Sequence, residues 1–538
     1  MTLLAAAITV QSVDQTLQEV ARAGEYGADL VELRIDTFTD QPDQLVDLIS
    51  RCSIPCIVTC RLQSEGGRFV GNPQERIELF RQVERASSKP AYIDIELSAY
   101  TDSEQLRRCI DGIVEHDGQI NSGPGLILSA HDFEHRPTDL LQKVEAMANI
   151  PSCRVIKIAW QARSLRDNLE ALEIISHQYK PTIALCMGEF GLPSRILAKK
   201  FGALLTFATV DATLTTAPGQ PTLNDLKNLY RWDQLDKQTA VFGVIWYPVG
   251  HSMSPAIHNA GFDASGFNGV YLPMPIPSEY EHFKATVGQW LDTPAMHFRG
   301  ASVTIPHKQN LLRFVKERNG FVEPLADQIG AANTLAVLDQ GDGDHLYAYN
   351  TDYAAALDAV CDGLAIERNE LAGRKVAVIG AGGAGRAIVT GFAHYGANVT
   401  LYNRTVEKAE AIAEQFNGKT AWGEKPGKVN AAPLDKLRQS RCEIYINCTP
   451  IGMSPNIIDT PMPGEIATKN FDSEVVVFDT IYNPIETRLL REAKVAGCIT
   501  ISGDDMFIRQ AAAQFELWTG KKAPLEVFRK VLHQKLGA

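Results

Sequence analysis

At 538 residues the chain exceeds what one hydrophobic core supports, since single cores seldom grow beyond about 250–300 residues, so more than one domain is expected. Apolar residues make up 45% and charged residues 22%, an ordinary globular balance, and no apolar run is long enough to span a membrane. A formal net charge of −12 argues against a nucleic-acid-binding surface.

The start, MTLLAAAITV, lacks the basic region of a secretory signal. The 10 cysteines include no CxxC pair, so a reduced, cytoplasmic chain without a membrane partner is expected. Short β-rich runs follow at Leu4–Val10, Leu30–Ile35, Cys56–Arg61, Ala91–Ile95, Leu126–Ala130, Val155–Ala159, Thr182–Cys186 and Leu204–Phe207. Amphipathic stretches such as Val13–Tyr26, Glu75–Ser87 and Ser164–Gln178 lie between them. Strands alternating with helices over about 220 residues predict an α/β fold of the (β/α)8 TIM-barrel type, with an open doubly wound sheet as the alternative. Cys52, Cys56 and Cys60 recur every fourth residue, but Ile54–Cys60 reads as a strand, and the three read as small buried side chains rather than metal ligands; no metal site is expected.

A barrel places its chemistry at the C-terminal ends of its strands. Glu32, Arg34 and Asp36 end the second, Arg61 and Glu65 follow the third, and Asp94 and Glu96 end the fourth. His131 and Asp132 end the fifth, Arg195 follows the seventh, and Thr216 to Gln220 follow the eighth. Lys157 lies inside the sixth, on one face with Val155 and Ala159. Burial there favours a nucleophilic amine able to form a Schiff base with a ketone; the alternative is a lysine paired with Glu32 or Glu96. His131 can act beside it as general acid/base. Arg61 and Arg195 can each hold a carboxylate through two parallel hydrogen bonds, or serve as ion pairs.

LVELRID, TCR…SEGG, LSAHDF, KIA and TAPGQPT, in that order, resemble type I 3-dehydroquinate dehydratase over residues 1–225. The resemblance implies Lys157 as the Schiff-base nucleophile and His131 as general acid/base, oriented by Glu65. Glu32, Arg34, Arg61, Arg195, Thr216 and Gln220 would line the substrate pocket. Thr216 stands where many relatives carry Ser, which keeps the hydroxyl.

Pro218-Gly219-Gln220-Pro221 breaks the chain, and Thr222–Trp232 reads as a helix capped by Thr222. The expected organisation is a barrel over 1–234, a linker over 235–239, a lobe over 240–355 completed by helices within 505–538, and a nucleotide-binding lobe over 356–504. Val241–Trp246 reads as a strand leading to YPVGHSMSP, where the hydroxyls of Ser252 and Ser254 can serve a polyol or cap the helix entered at Pro255. SVTIPHK ends on Lys308, GAANTL carries Asn333, and YNTD carries Asn350 and Asp352.

Lys375–Ile379 then reads as a buried parallel strand, and Gly380, Gly382 and Gly385 give G-x-G-x-x-G where it turns into a helix over Arg386–His394. With the strand Asn398–Tyr402 behind it, this is the Rossmann fingerprint, in which the turn Gly380-Ala381-Gly382-Gly383-Ala384-Gly385 cradles a pyrophosphate. The second strand ends on Asn403-Arg404-Thr405 rather than on an acid. Arg404 can pair with a 2′-phosphate while Asn403 and Thr405 add hydrogen bonds, which predicts NADP; a solvated loop arginine is the alternative.

GHSMSP, TIPHK, GAANTL, YNTD, GAGGAG, NRT, NCTPIGM and QAAAQFELWTG are similar to shikimate dehydrogenase across residues 240–538. The two halves in this order resemble the bifunctional dehydroquinate dehydratase/shikimate dehydrogenase family. The resemblance implies substrates 3-dehydroquinate, 3-dehydroshikimate and shikimate, with Lys308 and Asp352 as a catalytic pair exchanging a proton with the C3 oxygen. It also implies that Ser252, Ser254, Thr304, Asn333 and Gln510 bind shikimate, with Tyr482 near its carboxylate. Ser302 departs from the Asn of many relatives, and His307 is expected to be structural. Helices over Asp505–Trp518 and Leu525–Leu536 should return to the substrate lobe, with the lobes closing on cofactor. Alternative readings are a sensor that kept the fold, an enzyme with one active half, or use of quinate; Lys157, His131, Lys308 and Asp352 favour the bifunctional enzyme.

Overall fold

In a computed structural model, which describes residues 2–38, 42–114, 123–177, 179–213, 217–247, 252–417, 426–462 and 470–537, all eight β-rich runs of the N-terminal half are strands. They are β1 (Leu3–Thr9), β2 (Leu30–Arg34), β3 (Cys56–Thr59), β4 (Tyr92–Glu96), β5 (Gly125–Asp132), β6 (Cys153–Gln161), β7 (Thr182–Met187) and β8 (Leu205–Ala208). Neighbours run parallel in the order β7–β6–β5–β4–β3–β2–β1–β8. The end strands approach where the Leu204 N–H donates to the Thr182 carbonyl at 2.9 Å, so the barrel is near-closed. The open-sheet alternative is set aside.

Helices α1 (Val13–Glu25), α2 (Pro73–Val83) and α3 (Asp167–His177) lie between strands. α2 starts before the expected Glu75 because Asn72 and Glu75 cap each other reciprocally and Pro73 fills the first turn. The helix expected over Thr222–Trp232 shrinks to one wide turn, Asp225–Leu229, in which the Tyr230 N–H reaches the Asp225 carbonyl at 2.9 Å. Thr222 still caps it, its Oγ1 accepting the Asp225 N–H at 3.0 Å.

The two-residue period of the strands decides what fills the barrel. Leu30, Ile57, Ile127 and Val155 belong to an apolar core, with Tyr92 packed against it. Two residues further along the same strands come Glu32, Thr59, Asp94, Ser129 and Lys157, a polar layer that is wholly buried. Cys56 and Cys60 are buried as expected, although β3 ends at Thr59 and Cys60 lies just past it.

The chain divides into two compact units: Met1–Ala240 with Asn268–Ile276 and Ala285–His297, and Val241–Phe267 with Pro277–Lys284 and Phe298–Ala538. The first therefore also takes in β10 (Gly269–Pro275). In the second, β9 (Ala240–Trp246), β11 (Phe298–Val303), β12 (Phe321–Val322), β13 (Thr334–Asp339) and β14 (Asp344–Tyr349) follow the order β9–β11–β13–β14–β12. β9 and β11 run parallel while β13 is antiparallel to β11 and β14, with Thr334 opposite both Ser302 and Tyr349. One edge of the sheet thus gathers the ends of β11 and β14 and the start of β13. Helices α4 (Ser254–Ser265), α5 (Lys308–Glu317), α6 (Pro324–Ile329) and α7 (Thr351–Leu364) follow β9, β11, β12 and β14 in turn.

β15 (Lys375–Ile379), α8 (Gly383–His394), β16 (Asn398–Asn403), α9 (Val406–Asn417), β17 (Val429–Pro433), β18 (Ile444–Asn447), β19 (Val476–Asp479) and β20 (Ile499–Ile501) build a parallel sheet in the order β17–β16–β15–β18–β19–β20. Val376 and Val378 pack on one face with Leu357, Ile388 and Phe392, and Ala377 and Ile379 on the other with Tyr445 and Leu489. Burial on both faces is why β15 reads as an unbroken apolar run. α10 (Gly503–Thr519) reaches the second sheet, where the Trp518 indole donates to the Leu335 carbonyl at 2.9 Å, and α11 (Leu525–Leu536) follows. No helix of the described chain is long and apolar enough to cross a membrane.

Candidate active sites

The barrel holds a small cavity of about 50 Å³ lined by Glu32, Arg34, Arg61, Glu65, His131, Lys157, Arg195 and Gln220, so eight of the nine residues expected there meet. The ninth, Thr216, lies outside the described residues. Lys157 Nζ donates to Glu32 Oε1 at 3.0 Å and to Asp94 Oδ2 at 2.7 Å, 4.4 Å above the centre of the Phe207 ring. The pairing with Glu32 named as the alternative is therefore present, and one correction is needed: Asp94 takes the place proposed for Glu96. Attack on a ketone requires a proton to leave Nζ, and these two carboxylates are within its reach.

Arg61 is also reassigned. Its guanidinium donates to Asp94 at 2.8 Å and Ser129 at 2.7 Å and pairs with Glu96 at 3.2 Å, so its fork is already occupied by the barrel's own acids. Burial opposes charge on Asp94, but Arg61 and Lys157 outweigh it and hold that carboxyl far below the usual carboxylate range. Arg34 is bound to both oxygens of Asp36, at 3.1 and 2.7 Å. Arg195 is different: it is 1% exposed, its Nε has no partner among the described residues, and burial pushes its pKa down to about 10. Of the pocket's guanidiniums it is the one that an incoming carboxylate would relieve of an uncompensated buried charge.

His131 Nδ1 lies 3.0 Å from Glu65 Oε2, which also accepts the His131 backbone N–H at 2.9 Å. Burial, reinforced by Arg61 and Lys157, holds the imidazole well below its ordinary pKa. Burial raises Glu65 to about 7, with Glu96 and Asp94 adding to the shift against Arg61. A neutral histidine leaning on a carboxyl that titrates near neutrality can carry a proton in either direction.

In the second unit the gathered sheet edge forms a hydrogen-bonded group. Lys308, the first residue of α5, donates to Asp352 Oδ2 at 2.5 Å, and Asp352 Oδ1 accepts from Asn333 Nδ2 at 2.9 Å. Asn333 Nδ2 also reaches Gln510 Oε1 at 3.3 Å and Thr351 Oγ1 at 3.0 Å. Asn350 caps α7, accepting the Asp352 N–H at 3.1 Å, and so fixes where that carboxylate points. Thr304 follows β11 directly. Ser254 opens α4, and Ser252 Oγ accepts its N–H at 3.3 Å; the cap position is taken by Met253 with no side-chain cap, so the capping alternative is not met. Tyr482 is half-buried against Phe507 of α10, ring centres 5.0 Å apart.

Ser302 gains an explanation. Its hydroxyl donates to Gln514 Oε1 at 2.6 Å, and Gln514 Nε2 bonds Thr334 Oγ1 at 3.0 Å. The residue stands in an internal network behind Asn333. His307 is buried and tilted against Phe283 at 5.3 Å, in keeping with a structural role.

The glycine turn lies where the strand order reverses between β15 and β18, the point at which such sheets bind ligands. Gly380 has φ 107°, and a Cβ on Gly385 would lie 1.9 Å from the Gly380 carbonyl oxygen, so neither tolerates a side chain. A Cβ on Gly382 or Gly383 would meet nothing within 4 Å among the described residues, which leaves that side of the turn open to a pyrophosphate. The turn fits a dinucleotide. Ala381, Gly382 and Gly383 line a cleft of about 560 Å³ with Lys308, Ala331, Arg386 and Lys408, and Ala384 follows in the first turn of α8. Asn403 Oδ1 accepts the Ala381 N–H at 3.1 Å, so Asn403 braces the turn, and its Nδ2 donates to the Thr405 carbonyl at 2.8 Å. Arg404 and Thr405 are exposed beside it.

Gln514, Arg386 and Lys408 are not among the expected site residues, and Asp94 is expected only as an acid ending the fourth strand. Gln514 was within reach of pattern reasoning, since it lies one helical turn from Gln510. Among the described residues no group of three or more His, Cys, Asp or Glu side chains could hold a metal ion.

Family models match the chain as type I 3-dehydroquinase over residues 4–237, the shikimate dehydrogenase substrate binding domain over 244–335, shikimate/quinate 5-dehydrogenase over 364–492, and the shikimate 5′-dehydrogenase C-terminal domain over 505–533. The chain is similar to the chloroplastic bifunctional 3-dehydroquinate dehydratase/shikimate dehydrogenase of Arabidopsis thaliana, 36% identical over 98% of this chain and 84% of the relative. It is also similar to the shikimate dehydrogenase (NADP(+)) of Methanosarcina acetivorans, 40% identical over 55% of this chain and 99% of the relative. A solved structure of dehydroquinate dehydratase and shikimate dehydrogenase from S. pombe is 26% identical, covers 99% of this chain and 98% of that chain, and has a TM-score of 0.44.

Proposed function

The chain belongs to the bifunctional 3-dehydroquinate dehydratase/shikimate dehydrogenase family and has its two activities, lyase and NADP-dependent oxidoreductase, and on that premise we propose how its residues divide them. The observation that carries the reading is the meeting of Lys157, His131 and Glu65 in one buried pocket. Lys157 Nζ, relieved of a proton, adds to the C3 ketone of 3-dehydroquinate, and loss of water leaves an iminium on the lysine. The iminium acidifies the adjacent C–H. His131 takes that proton and returns it to the departing hydroxyl, and hydrolysis of the iminium frees Lys157 and 3-dehydroshikimate, so one water is lost overall. Arg195 holds the substrate carboxylate, while Glu32, Arg34, Arg61 and Gln220 complete the pocket.

Glu65 makes this testable by pH. Ionised, it accepts the Nδ1–H of His131 and leaves Nε2 free as the base; protonated, it cannot. Since Glu65 is raised to about 7, kcat/KM for dehydration should fall as pH drops through that region, a limb belonging to the Glu65–His131 pair. Glu65→Gln should abolish this limb, because the amide still accepts the Nδ1–H but does not titrate. A limb of unchanged position in the variant would remove Glu65 from the acid/base step.

In the second unit Lys308, steadied by Asp352, gives a proton to the C3 oxygen of 3-dehydroshikimate. Bound NADPH supplies the hydride to C3. Ser252, Ser254, Thr304, Asn333, Tyr482 and Gln510 surround the substrate in this reading, and Ser302 acts through Gln514. Gly380 to Gly385 hold the pyrophosphate, and Arg404 with Lys408 takes the 2′-phosphate. Arg404→Ala should raise KM for NADPH about tenfold or more and leave KM for NADH within about twofold; equal effects on both would deny Arg404 that contact. The 10 cysteines are all free thiols, which supports a reducing, cytoplasmic setting.

A further inference from the structure

Arg386 lies directly after the last glycine of the turn and lines the cofactor cleft, yet a cation in the first turn of a helix opposes the helix dipole. Among the described residues no carboxylate pairs with it, and burial alone shifts its pKa, downwards. Its guanidinium instead donates to Gln415 Oε1 of α9. Gln415 Nε2 continues to the Gln328 carbonyl near the end of α6, at 3.3 Å. A Cβ on Gly330, which caps α6, would lie 3.7 Å from Arg386 Nη2, so the guanidinium rests against that helix end. The segment that follows is the one that sets the reduction site. The Ala332 N–H donates to the Lys308 carbonyl at 3.0 Å, and Asn333 holds Asp352 and Gln510.

We propose that Arg386 is a positioning residue for hydride transfer: through Gln415 and the Gln328 carbonyl it ties the glycine-turn helix to the 328–333 segment and so fixes Lys308 and Asn333 against the bound cofactor. The proposal rests on the reduction reading above. Gln415 also lines the cleft, but its amide carries no charge to offer the cofactor's phosphates, so its variant separates positioning from phosphate pairing.

The test is steady-state reduction of 3-dehydroshikimate by Arg386→Ala, Gln415→Ala, the double variant and Arg386→Lys, each with dehydration of 3-dehydroquinate measured as a folding control. Arg386→Ala and Gln415→Ala should each lower kcat by about 10- to 100-fold with dehydration unchanged. The double variant should be no worse than the poorer single one, because both break one tie. KM for NADPH should stay within about twofold in Gln415→Ala, and NADPH deuterated at the transferred position should show a larger isotope effect in both single variants. Arg386→Lys should recover part of kcat, since an ammonium can still donate to Gln415. Unchanged kcat in Gln415→Ala, additive losses in the double variant, or an Arg386→Ala effect confined to KM for NADPH would each overturn the proposal. Failure of the reduction reading itself is distinct: the unsubstituted protein would not oxidise NADPH with 3-dehydroshikimate at all.

Discussion

Lys157→Ala is expected to lower dehydration of 3-dehydroquinate by about 10⁴-fold or more, since among the described residues no other amine lines the barrel cavity to form the imine. The reduction of added 3-dehydroshikimate by the same chain should persist. The substitution has a structural cost, because it leaves Glu32 and Asp94, both buried, without their shared cation. Breaking a buried pair from one side typically costs about 3–5 kcal/mol. Lys157→Arg separates the two effects: it restores a cation but, always protonated, forms no imine. The expected result is loss of dehydration in both variants, with thermal stability lowered in the alanine variant and largely kept in the arginine variant. Dehydration surviving in Lys157→Arg would exclude the Schiff-base route.

Lys308→Ala should produce the mirror image. Removing the proton donor for the C3 oxygen is expected to lower kcat for 3-dehydroshikimate reduction by about 10²- to 10⁴-fold, the usual range for a general acid, with dehydration intact. Asp352 stays in place through Asn333 and the α7 cap, so KM for 3-dehydroshikimate should move much less than kcat. A change confined to KM would make Lys308 a binding group and send the search for the donor elsewhere along the same sheet edge.

The barrel was legible because each of its strands carries its own run of β-branched and apolar residues, and the polar layer followed from the same period of two: Val155, Lys157 and Ala159 share a face, as expected. What the sequence could not rank was which acids would meet Lys157. Asp94 and Glu96 both end β4, and only the register between β4, β5 and β6 puts Asp94 beside the amine and leaves Glu96 to Arg61 and Arg76. Ser302 is a second case. Its partner Gln514 lies 212 positions away, and no local pattern joins them. The helix expected after Thr222 failed for a local reason: the cap is present, but the turn it starts closes on wide-spaced hydrogen bonds and stops at Leu229. The glycine turn was readable because Gly380 is required there by conformation and Gly385 by contact, whereas Arg386 and Lys408, beside it, look like any helix-surface cations until the cleft is seen.

The most direct measurement is NADPH oxidation by the purified protein supplied with 3-dehydroquinate as the only organic substrate, with 3-dehydroshikimate in a parallel reaction. The account predicts oxidation with both, preceded by a lag with 3-dehydroquinate while the barrel forms 3-dehydroshikimate, and loss of only the first reaction in Lys157→Arg. Oxidation with 3-dehydroshikimate alone would contradict it, since a barrel that holds Lys157, His131 and Glu65 in one pocket would then not dehydrate.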